Sequence, residues 1–220
     1  MQYFQTDRKT LKDYSDNDIS NLYSQGFVLT RLGKGEFLQT KSLRINLSQF
    51  ENSSENRRIL NKNDNLSMEV RKLPLEDYSW EIHSLGKEFY TKKFGDGTMS
   101  ASKIKELFQN QNISNTNFAF EYKESSKIIG YCITYINDEI VHYAYPFYDL
   151  DILKERSVGL AMMLKAINWS KENNKKYIYL GSVTDKKSHY KLQFKGLEWW
   201  NNEEKEWSED ITKLKEITSI

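Results

Sequence analysis

The sequence predicts a mixed α+β fold, in which a central, mostly antiparallel sheet is flanked by helices and accompanied by a reduced N-terminal partner sheet. Three observations lead to this prediction. Residues 117–147 contain three β-favouring runs separated by short polar turns, which is typical of an antiparallel meander. Residues 145–181 follow in the order strand, polar turn, helix and strand, which indicates a parallel crossover. Helical patterns precede the meander, and this succession is that of an α+β domain.

The composition bounds the size and the partners of the chain. At 220 residues it forms one large domain or two small ones packed together, and we expect an N-terminal α/β region over 1–75 and a second domain over 76–220. Apolar content is 38%, but aromatic residues at 14% supply much of the buried area that a core needs. The 32 basic and 31 acidic residues give a formal charge of +1, so any nucleic-acid contact must come from a local patch.

The cysteine count and the lack of long apolar runs exclude further classes. Cys132 lies in an apolar strand pattern, where we expect a buried thiol, and it is the single cysteine, so no internal disulfide and no C-x-x-C metal pair is available. The N-terminus lacks an apolar signal core, and no segment approaches about 18 apolar residues. The sequence therefore predicts a soluble cytoplasmic protein with no metal site and no membrane partner.

Hydrophobic spacing and turn residues predict the elements of the N-terminal region. They are a helix, a β-hairpin, a strand, a second helix and a further strand, over residues 16–24, 27–40, 43–47, 55–62 and 66–73. The strand over 43–47 alternates between apolar and polar residues. This alternation places Leu43, Ile45 and Leu47 inward, and Arg44 and Asn46 outward.

The remaining elements are predicted in the same way. Two helices, one from residue 77 and one over 101–110, precede the meander strands at 117–122, 127–136 and 139–147. After Gly181 we expect a helix and two short strands, over 198–200 and 205–207. Of the adjacent Trp199 and Trp200, one is expected in the core and one at the surface, where it is available to stack on a base.

The helix of the crossover carries the first functional signal. It opens with Arg156-Ser157-Val158-Gly159-Leu160-Ala161, soon after Tyr148. A small residue at a helix start lets the backbone approach a phosphate or carbonyl group, and the first free N–H groups supply donors. The R-x-x-G-x-A spelling resembles the acyl-CoA-binding signature of GNAT acyltransferases, which implies a GNAT-like fold. The alternative is a helix start with a packing glycine.

Four stretches together resemble the arginyl-tRNA–protein transferase family, including its bacterial leucyl-transferring relatives. Tyr23-Ser-Gln-Gly-Phe27 is similar to the family's N-terminal "Y…R-G-W" element. Residues 42–63, SLRINLSQFENSSENRRILNKN, are similar to its "SLRI-x-V-x-x-F-x-x-S-x-S-Q-R-R-x-L-x-x-N" block. The third stretch is similar to the family's "F-Y-D…R-S-L-G" and consists of Tyr148-Asp149 with RSVG at 156–159. The fourth is similar to "Y-x-Y-L-G…Y-K-x-x-F-x-P-L-E" and consists of YIYLG at 177–181 with YKLQFKGLE at 190–198. The resemblance covers roughly residues 20 to 207.

The chain departs from the family at its cysteines and at one proline. The family carries paired cysteines, linked with metal or iron–sulfur binding, near the N-terminus and just before the "SLRI" block. Here Gln2-Tyr3-Phe4 and Leu38-Gln39-Thr40-Lys41 occupy those places, and Gly196 replaces the family's proline. A degenerate, non-catalytic family member is therefore one alternative.

The resemblance implies transfer of Arg or Leu from charged tRNA to the α-amine of a protein or peptide N-terminus, as in the N-degron pathway. An ester becomes an amide, so the enzyme needs only to align the reactants, move a proton and stabilise an oxyanion. No cofactor is expected beyond aminoacyl-tRNA as co-substrate. The rival reading is a GNAT N-acyltransferase that uses acetyl-CoA or another acyl-CoA through the same helix start.

The resemblance and the residue types together suggest site residues. Tyr148 and residues 156–161 bind the donor; Tyr190 protonates the leaving group; His189 relays a proton; Asp149 orients an amine. The alternatives are a Tyr190 packed on the sheet, a surface His189 and a turn-forming Asp149. The basic residues Arg44, Arg57, Arg58 and Lys62 make the best local patch for the tRNA acceptor stem, or else a solvated helix face.

Overall fold

The chain divides into two compact units in a computed structural model that describes residues 7–12, 14–152 and 154–219. The first unit comprises Met1–Ser53, Asn137–His142 and Ser170–Ile220, and the second comprises Ser54–Ile136 and Tyr143–Trp169. The stretch Gln2-Tyr3-Phe4 lies outside the described residues. The units run across the predicted boundary at residue 75, and the division into 1–75 and 76–220 stays a prediction.

The described elements follow the predicted order closely. They are β1 (Asp7–Thr10), α1 (Asp16–Ser24), β2 (Phe27–Leu29), β3 (Glu36–Gln39), β4 (Ser42–Asn46), α2 (Ser54–Asn61), β5 (Leu66–Lys72), α3 (Trp80–Phe94), α4 (Ala101–Gln109), β6 (Phe118–Glu124), β7 (Lys127–Ile136), β8 (Ile140–Tyr148), α5 (Val158–Glu172), β9 (Tyr177–Ser182), β10 (Leu197–Asn201), β11 (Glu206–Ser208) and α6 (Ile211–Ile217). The α+β class and the predicted order of helices, meander and β–loop–α–β are therefore confirmed. The additions are β1, α6 and 3-10 segments, one of which, Lys186–Gln193, replaces the helix expected after Gly181.

The first unit contains a three-stranded sheet and a larger strand array. Strands β1, β3 and β2 pair antiparallel in that order, and α1 packs Ile19, Leu22 and Tyr23 into the core. The second array runs β11-β10-β4-β9 and then the first three residues of β8. All of these pairs are antiparallel except β8 with β9, which is parallel over Ile140↔Tyr177 to His142↔Tyr179.

The second unit is built on the rest of β8 and on β7, β6 and β5, in that order. Strands β5, β6 and β7 pair antiparallel, with Val70↔Phe120 and Phe120↔Cys132 in register. Cys132 is fully buried, as expected for a small apolar residue in a central strand. Helices α3 and α4 supply the side chains of the core cluster that covers this sheet, among them Ile82, Phe89, Ile104, Leu107 and Phe108.

The prediction that Arg44 points outward, where RNA would reach it, is wrong. Strand β4 lies between β10 and β9, and it is covered on both faces, so that Arg44 is only 8% exposed. Its Nε lies 2.5 Å from Glu198 Oε2, and its guanidinium carbon lies 3.9 and 4.0 Å from the ring centres of Tyr177 and Trp207. The ion pair and the two aromatic faces stabilise this charge within the first unit.

The prediction of one buried and one exposed tryptophan on β10 is also wrong. Trp199 and Trp200 are 1% and 5% exposed, so neither presents a ring for stacking on a base. The Trp199 Nε1 donates to the carbonyl of Asp210 at 3.0 Å, which satisfies the indole N–H of this buried ring.

Candidate active site

The first turn of α5 offers two backbone donors, fewer than predicted. Ser157 precedes the helix with a φ of +54°, and its carbonyl accepts hydrogen bonds from Leu160 N at 2.9 Å and Ala161 N at 3.0 Å. The N–H groups of Leu160 and Ala161 are therefore already used, so the backbone of these two of the predicted donor-binding residues 156–161 has no free N–H for a ligand. Those of Val158 and Gly159 come before the first intrahelical bond, and they are the groups that a helix start leaves for a ligand.

Gly159 lies directly under the side chain of Tyr148. A Cβ at Gly159 would stand 2.8 Å from the Tyr148 hydroxyl oxygen and 2.9 Å from the ring, so only glycine fits there. Gly159 remains partly exposed, and the Tyr148 hydroxyl makes no hydrogen bond with any described residue. Burial raises the pKa of Tyr148, so its hydroxyl stays protonated. The structure thus brings a third donor to the two N–H groups of this turn.

Arg156 holds the segment before α5 in place. Its Nη1 lies 2.7 Å from Glu124 Oε1, and its Nη2 donates to Asn65 Oδ1 at 3.1 Å. Its carbonyl accepts from Asn63 Nδ2 at 2.8 Å, and the same amide group donates to Ile59 O at 2.9 Å. Glu124 therefore compensates the Arg156 charge, and the role of Arg156 towards a phosphate stays a prediction.

Asn63 and Glu124 are site-supporting residues that sequence reasoning missed. Asn63 is fully buried and ties the end of α2 to the carbonyl of Arg156. The signal for it was present, because Asn63 is the last position of the 42–63 block that carries the family resemblance. Glu124 gave no such signal, since an acidic residue before a turn is ordinary.

Asp149, at the end of β8, has the contacts of a turn residue. Its N–H donates to Ile129 O at 2.8 Å, and its Oδ1 accepts from Asp151 N at 3.0 Å. Its Oδ2 lies 3.5 Å from Lys127 Nζ. These contacts favour the turn-forming alternative, while the proposed orientation of an amine by Asp149 stays a prediction.

His189 and Tyr190 lie in the 3-10 segment of the first unit. His189 Nε2 is 2.8 Å from Thr218 Oγ1, so this partly buried ring is held by the end of α6. Tyr190 is 50% exposed, so half of its side chain is accessible to solvent. The acid and relay roles of these two residues stay predictions.

Lys191 was overlooked by sequence reasoning, although it stands in the Y-K-x-x-F stretch. Its Nζ donates to Leu180 O at 3.0 Å and to Ser182 O at 3.2 Å, both on β9. Burial lowers its pKa to about 8. Nearby, burial together with the Lys191 charge lowers the pKa of His142 to about 3, and His142 Nδ1 lies 2.7 Å from the Tyr23 hydroxyl.

The basic residues of α2 are exposed in the second unit. Arg57 and Arg58 lie on the helix and Lys62 follows it, all at the surface. Arg58 forms an ion pair with Glu55 at 2.5 Å, but an exposed pair of this kind contributes little free energy, so the guanidinium can exchange partners. Contact of these three residues with RNA stays a prediction.

The described residues offer neither a metal-binding cluster nor a helix suited to crossing a membrane. No group of three or more His, Cys, Asp or Glu residues among them is arranged to hold a metal ion. None of the helices that the structure describes combines the length and the hydropathy needed to cross a membrane.

Comparison with known proteins identifies the family. A family model described as "Arginine-tRNA-protein transferase, C terminus" matches residues 76–201, which is more than half of the chain and includes α5, β9 and the 3-10 segment with Lys191. The chain belongs to the arginine-tRNA-protein transferase family. The resemblance inferred from the four sequence stretches is thereby confirmed, and the chain is an enzyme of the aminoacyltransferase class.

The relatives agree with this assignment. The chain is 26% identical to an aspartate/glutamate leucyltransferase of Ruegeria pomeroyi, over 80% of this chain and 67% of the relative. It is 26% identical to the same-named protein of Dinoroseobacter shibae, over 87% of this chain and 73% of the relative. A solved structure of L-PGS from Bacillus licheniformis shares 14% identity at a TM-score of 0.48, over 76% of this chain and 52% of that one. The chain thus spans about half of the solved structure, and this likeness carries no argument about activity.

Proposed function

We propose that this protein transfers an aminoacyl group, leucyl or arginyl, from charged tRNA to the α-amine of a protein or peptide N-terminus. The observation that carries the proposal is the family match over residues 76–201, which includes the first turn of α5. The names of the relatives favour leucine as the group transferred and N-terminal Asp or Glu as the acceptor. A charged-tRNA donor implies a cytoplasmic location.

The transfer requires no covalent intermediate with the protein. The aminoacyl ester is activated, so transfer to an amine runs downhill, and no covalent nucleophile is needed. The chain must hold the donor, bring the amine to the ester carbonyl, move one proton and stabilise the tetrahedral oxyanion. Cys132 is buried and the burial raises its pKa, so its thiol is unsuited to attack the ester.

The first turn of α5 supplies donors of the right kind for the tRNA end. The N–H groups of Val158 and Gly159 lie at the positive end of the helix dipole, and the Tyr148 hydroxyl lies beside them. We assign these three groups to phosphate or hydroxyl oxygens of the donor. Asn63 and Arg156 hold the preceding segment, and they act as positioning residues rather than as ligands.

We assign the contact with tRNA to the exposed basic residues on α2 and directly after it. With a formal charge of +1, the chain has no overall attraction for RNA, and a local patch must supply it. Arg57, Arg58 and Lys62 form such a patch, now without Arg44. Reversal of Arg57 and Arg58 to Glu should weaken tRNA binding at least tenfold and reduce its salt dependence, whereas the buried Arg44 offers no charge to RNA.

A transfer assay with matched donors and acceptors tests the proposal. Purified protein is incubated with leucyl-tRNA, arginyl-tRNA or acetyl-CoA, and with peptides that differ only in an N-terminal Asp, Glu, Lys or Ala. The same peptides with an acetylated N-terminus serve as controls, because they lack the α-amine. We expect leucyl transfer to the free Asp and Glu peptides.

The other outcomes decide between the alternatives. Acetyl transfer with no aminoacyl transfer would show that the chain is an acyl-CoA-dependent N-acyltransferase. Absence of any transfer by a folded protein that still binds tRNA would show a non-catalytic family member. Either result overturns the proposed function.

A further inference from the structure

Lys165 is a cation in the most deeply buried part of α5. The other helix residues from Ala161 to Ile167 are at most 3% exposed, whereas Lys165 is half-buried. A lysine can lay its apolar stem along such a surface while its ammonium group stays at the edge of the solvent. Lys165 belongs to the second unit, as does the start of α5. The proposed function has named no role for it.

The Lys165 ammonium group has neither an ion pair nor a hydrogen bond with the residues that the structure describes. Burial lowers the pKa of this lysine, and the Asp64 carboxylate opposes the shift from beyond ion-pair distance. Lys123, another partly buried lysine of the same unit, instead lies 2.8 Å from a carboxylate oxygen of Glu69. A cation that loses water without gaining an anion costs free energy. Lys165 is therefore suited to take an anion as its ligand.

The turn between α2 and β5 lies next to this cation and also contacts the segment before α5. Asp64, whose carboxylate acts on Lys165, is in the middle of that turn. Its two neighbours hold Arg156, because Asn63 Nδ2 donates to the Arg156 carbonyl at 2.8 Å and Asn65 Oδ1 accepts from Arg156 Nη2 at 3.1 Å. One turn thus connects the surroundings of Lys165 with the start of α5.

Helix geometry sets the separation of Lys165 from the donor groups in the first turn of α5. Lys165 follows Val158 by seven residues, or two turns, so the two positions share one side of the helix and lie about 10 Å apart along its axis. Side chains lean towards the N-terminus of a helix, which brings the ammonium group closer to the first turn. Successive phosphates of one strand lie about 3.4 Å apart along a duplex, so this separation corresponds to a few nucleotides.

The basic residues assigned to tRNA lie on the other side of the same turn. Lys62 directly precedes Asn63, and Arg58 lies one helical turn earlier on α2; both are exposed. The patch on α2, Lys165 and the first turn of α5 are thus neighbours through residues 63–65, all within the second unit. An RNA strand with its duplex part on α2 and its end at α5 would pass this turn.

We propose that Lys165 binds a backbone phosphate in the unpaired 3′ end of the donor tRNA, an inference that rests on the proposed function. The ammonium group gives a charge-assisted hydrogen bond to a phosphate oxygen, and the phosphate supplies the anion that the described residues do not provide. The patch on α2 holds the duplex part of the acceptor stem, while Lys165 holds the single strand. Lys165 thereby aligns the ester with the N–H groups of Val158 and Gly159, and it takes no part in bond making.

Binding of leucine tRNA to the full chain tests this contact. The tRNA is used without its amino acid, either intact or lacking its last three nucleotides. Lys165→Met keeps the apolar stem without the charge, and Lys165→Arg keeps the charge. Lys105→Gln, at an exposed position of α4, is the control for the loss of one positive charge.

We expect Lys165→Met to bind intact tRNA about tenfold more weakly, with the slope of log affinity against log salt reduced by about 1. The truncated tRNA should bind equally to the wild type and to Lys165→Met. Lys165→Arg and Lys105→Gln should keep the wild-type affinity for both RNAs. Equal affinity of the wild type and Lys165→Met for intact tRNA would overturn the inference. An equal loss with both RNAs would also overturn it, because the contact would then lie on the acceptor stem.

A second measurement needs no variant of Lys165. The wild type is trace-acetylated with acetic anhydride, and mass spectrometry compares Lys165 with Lys105 in the presence of intact tRNA, truncated tRNA or CoA. Only intact tRNA should protect Lys165. The absence of this protection, or protection by CoA instead, would overturn the inference even if Lys165→Met does not fold. A wild type that binds intact tRNA through Lys165 but transfers no amino acid would overturn the proposed function alone, whereas a wild type that binds no tRNA would overturn both.

Discussion

The buried pair of His142 and Tyr23 makes the stability of the chain depend on pH in a defined window. His142 is 4% exposed, and its Nδ1 lies 2.7 Å from the Tyr23 hydroxyl. A protonated, charged ring at this position would therefore not be hydrated. Its pKa is about 3 in the folded protein, against 6.5 for an ordinary histidine. Below pH 6.5 the His142 ring becomes protonated in the unfolded chain but stays neutral in the folded chain. Stability therefore decreases as the pH falls from 6.5 towards 3.

The size of this loss follows from the two pKa values. At pH 4.5 the unfolded histidine is about 99% protonated and the folded one mostly neutral, which costs about 2.7 kcal/mol of unfolding free energy relative to pH 7.5. The figure hardly changes for any folded pKa below about 4, because the unfolded state then takes up almost all of the protons. It is a large share of the about 5–15 kcal/mol that stabilises a typical domain.

Urea unfolding followed by tryptophan fluorescence, at pH 7.5, 6.5, 5.5 and 4.5, measures the effect. His142→Asn keeps an amide near the Nδ1 position but does not titrate, so its stability should fall by about 2.7 kcal/mol less than that of the wild type over this range. His83→Asn is the matched control, because His83 also bonds a tyrosine, Tyr78, at 3.0 Å, but is only partly buried. Equal losses in the wild type and His142→Asn would refute the reasoning.

Two further predictions concern the first turn of α5 and the core of the first unit. Gly159→Ala places a Cβ 2.8 Å from the Tyr148 hydroxyl oxygen, so the ring must move; because alanine favours the helix by about 1 kcal/mol, we expect a small change in melting temperature but at least a tenfold loss of transfer rate. An unchanged rate would remove Tyr148 and Gly159 from the donor site. Arg44→Met leaves the Glu198 carboxylate buried without its partner and should cost about 3–5 kcal/mol in equilibrium unfolding, and Glu198→Gln in the same chain should restore part of it. A loss below about 1 kcal/mol would show that the pair is not buried in solution.

Local signals were enough to predict most elements. Helix α1 was predicted with its observed bounds because Ile19, Leu22 and Tyr23 recur at helical spacing and Gly26 follows its end. The structure adds a cap, in which the Ser15 hydroxyl accepts from Asp18 N. The strands of the meander were found from their β-favouring runs and the polar turns between them. Such signals lie within a few residues of the element that they describe, so a single sequence contains them.

Predictions failed where the deciding neighbours are distant in sequence. Alternation along β4 placed Arg44 outward, but this reading requires one solvated face, and Tyr177, Glu198 and Trp207 cover it from more than 130 positions away. The family resemblance marked the position of Lys191, but not its environment, since the two carbonyl groups that fix its side chain belong to β9. The functional environment of a residue depends on tertiary contacts, which residue type and spacing do not reveal.

Transfer of leucine from leucyl-tRNA to a peptide with a free N-terminal Asp tests the central claim most directly. Mass spectrometry of the peptide should show the addition of one leucyl residue at its N-terminus, and none when that N-terminus is acetylated. An unmodified peptide after incubation with folded, tRNA-binding protein, with arginyl-tRNA tried in parallel, would contradict the assignment of this chain as an aminoacyl-tRNA–protein transferase.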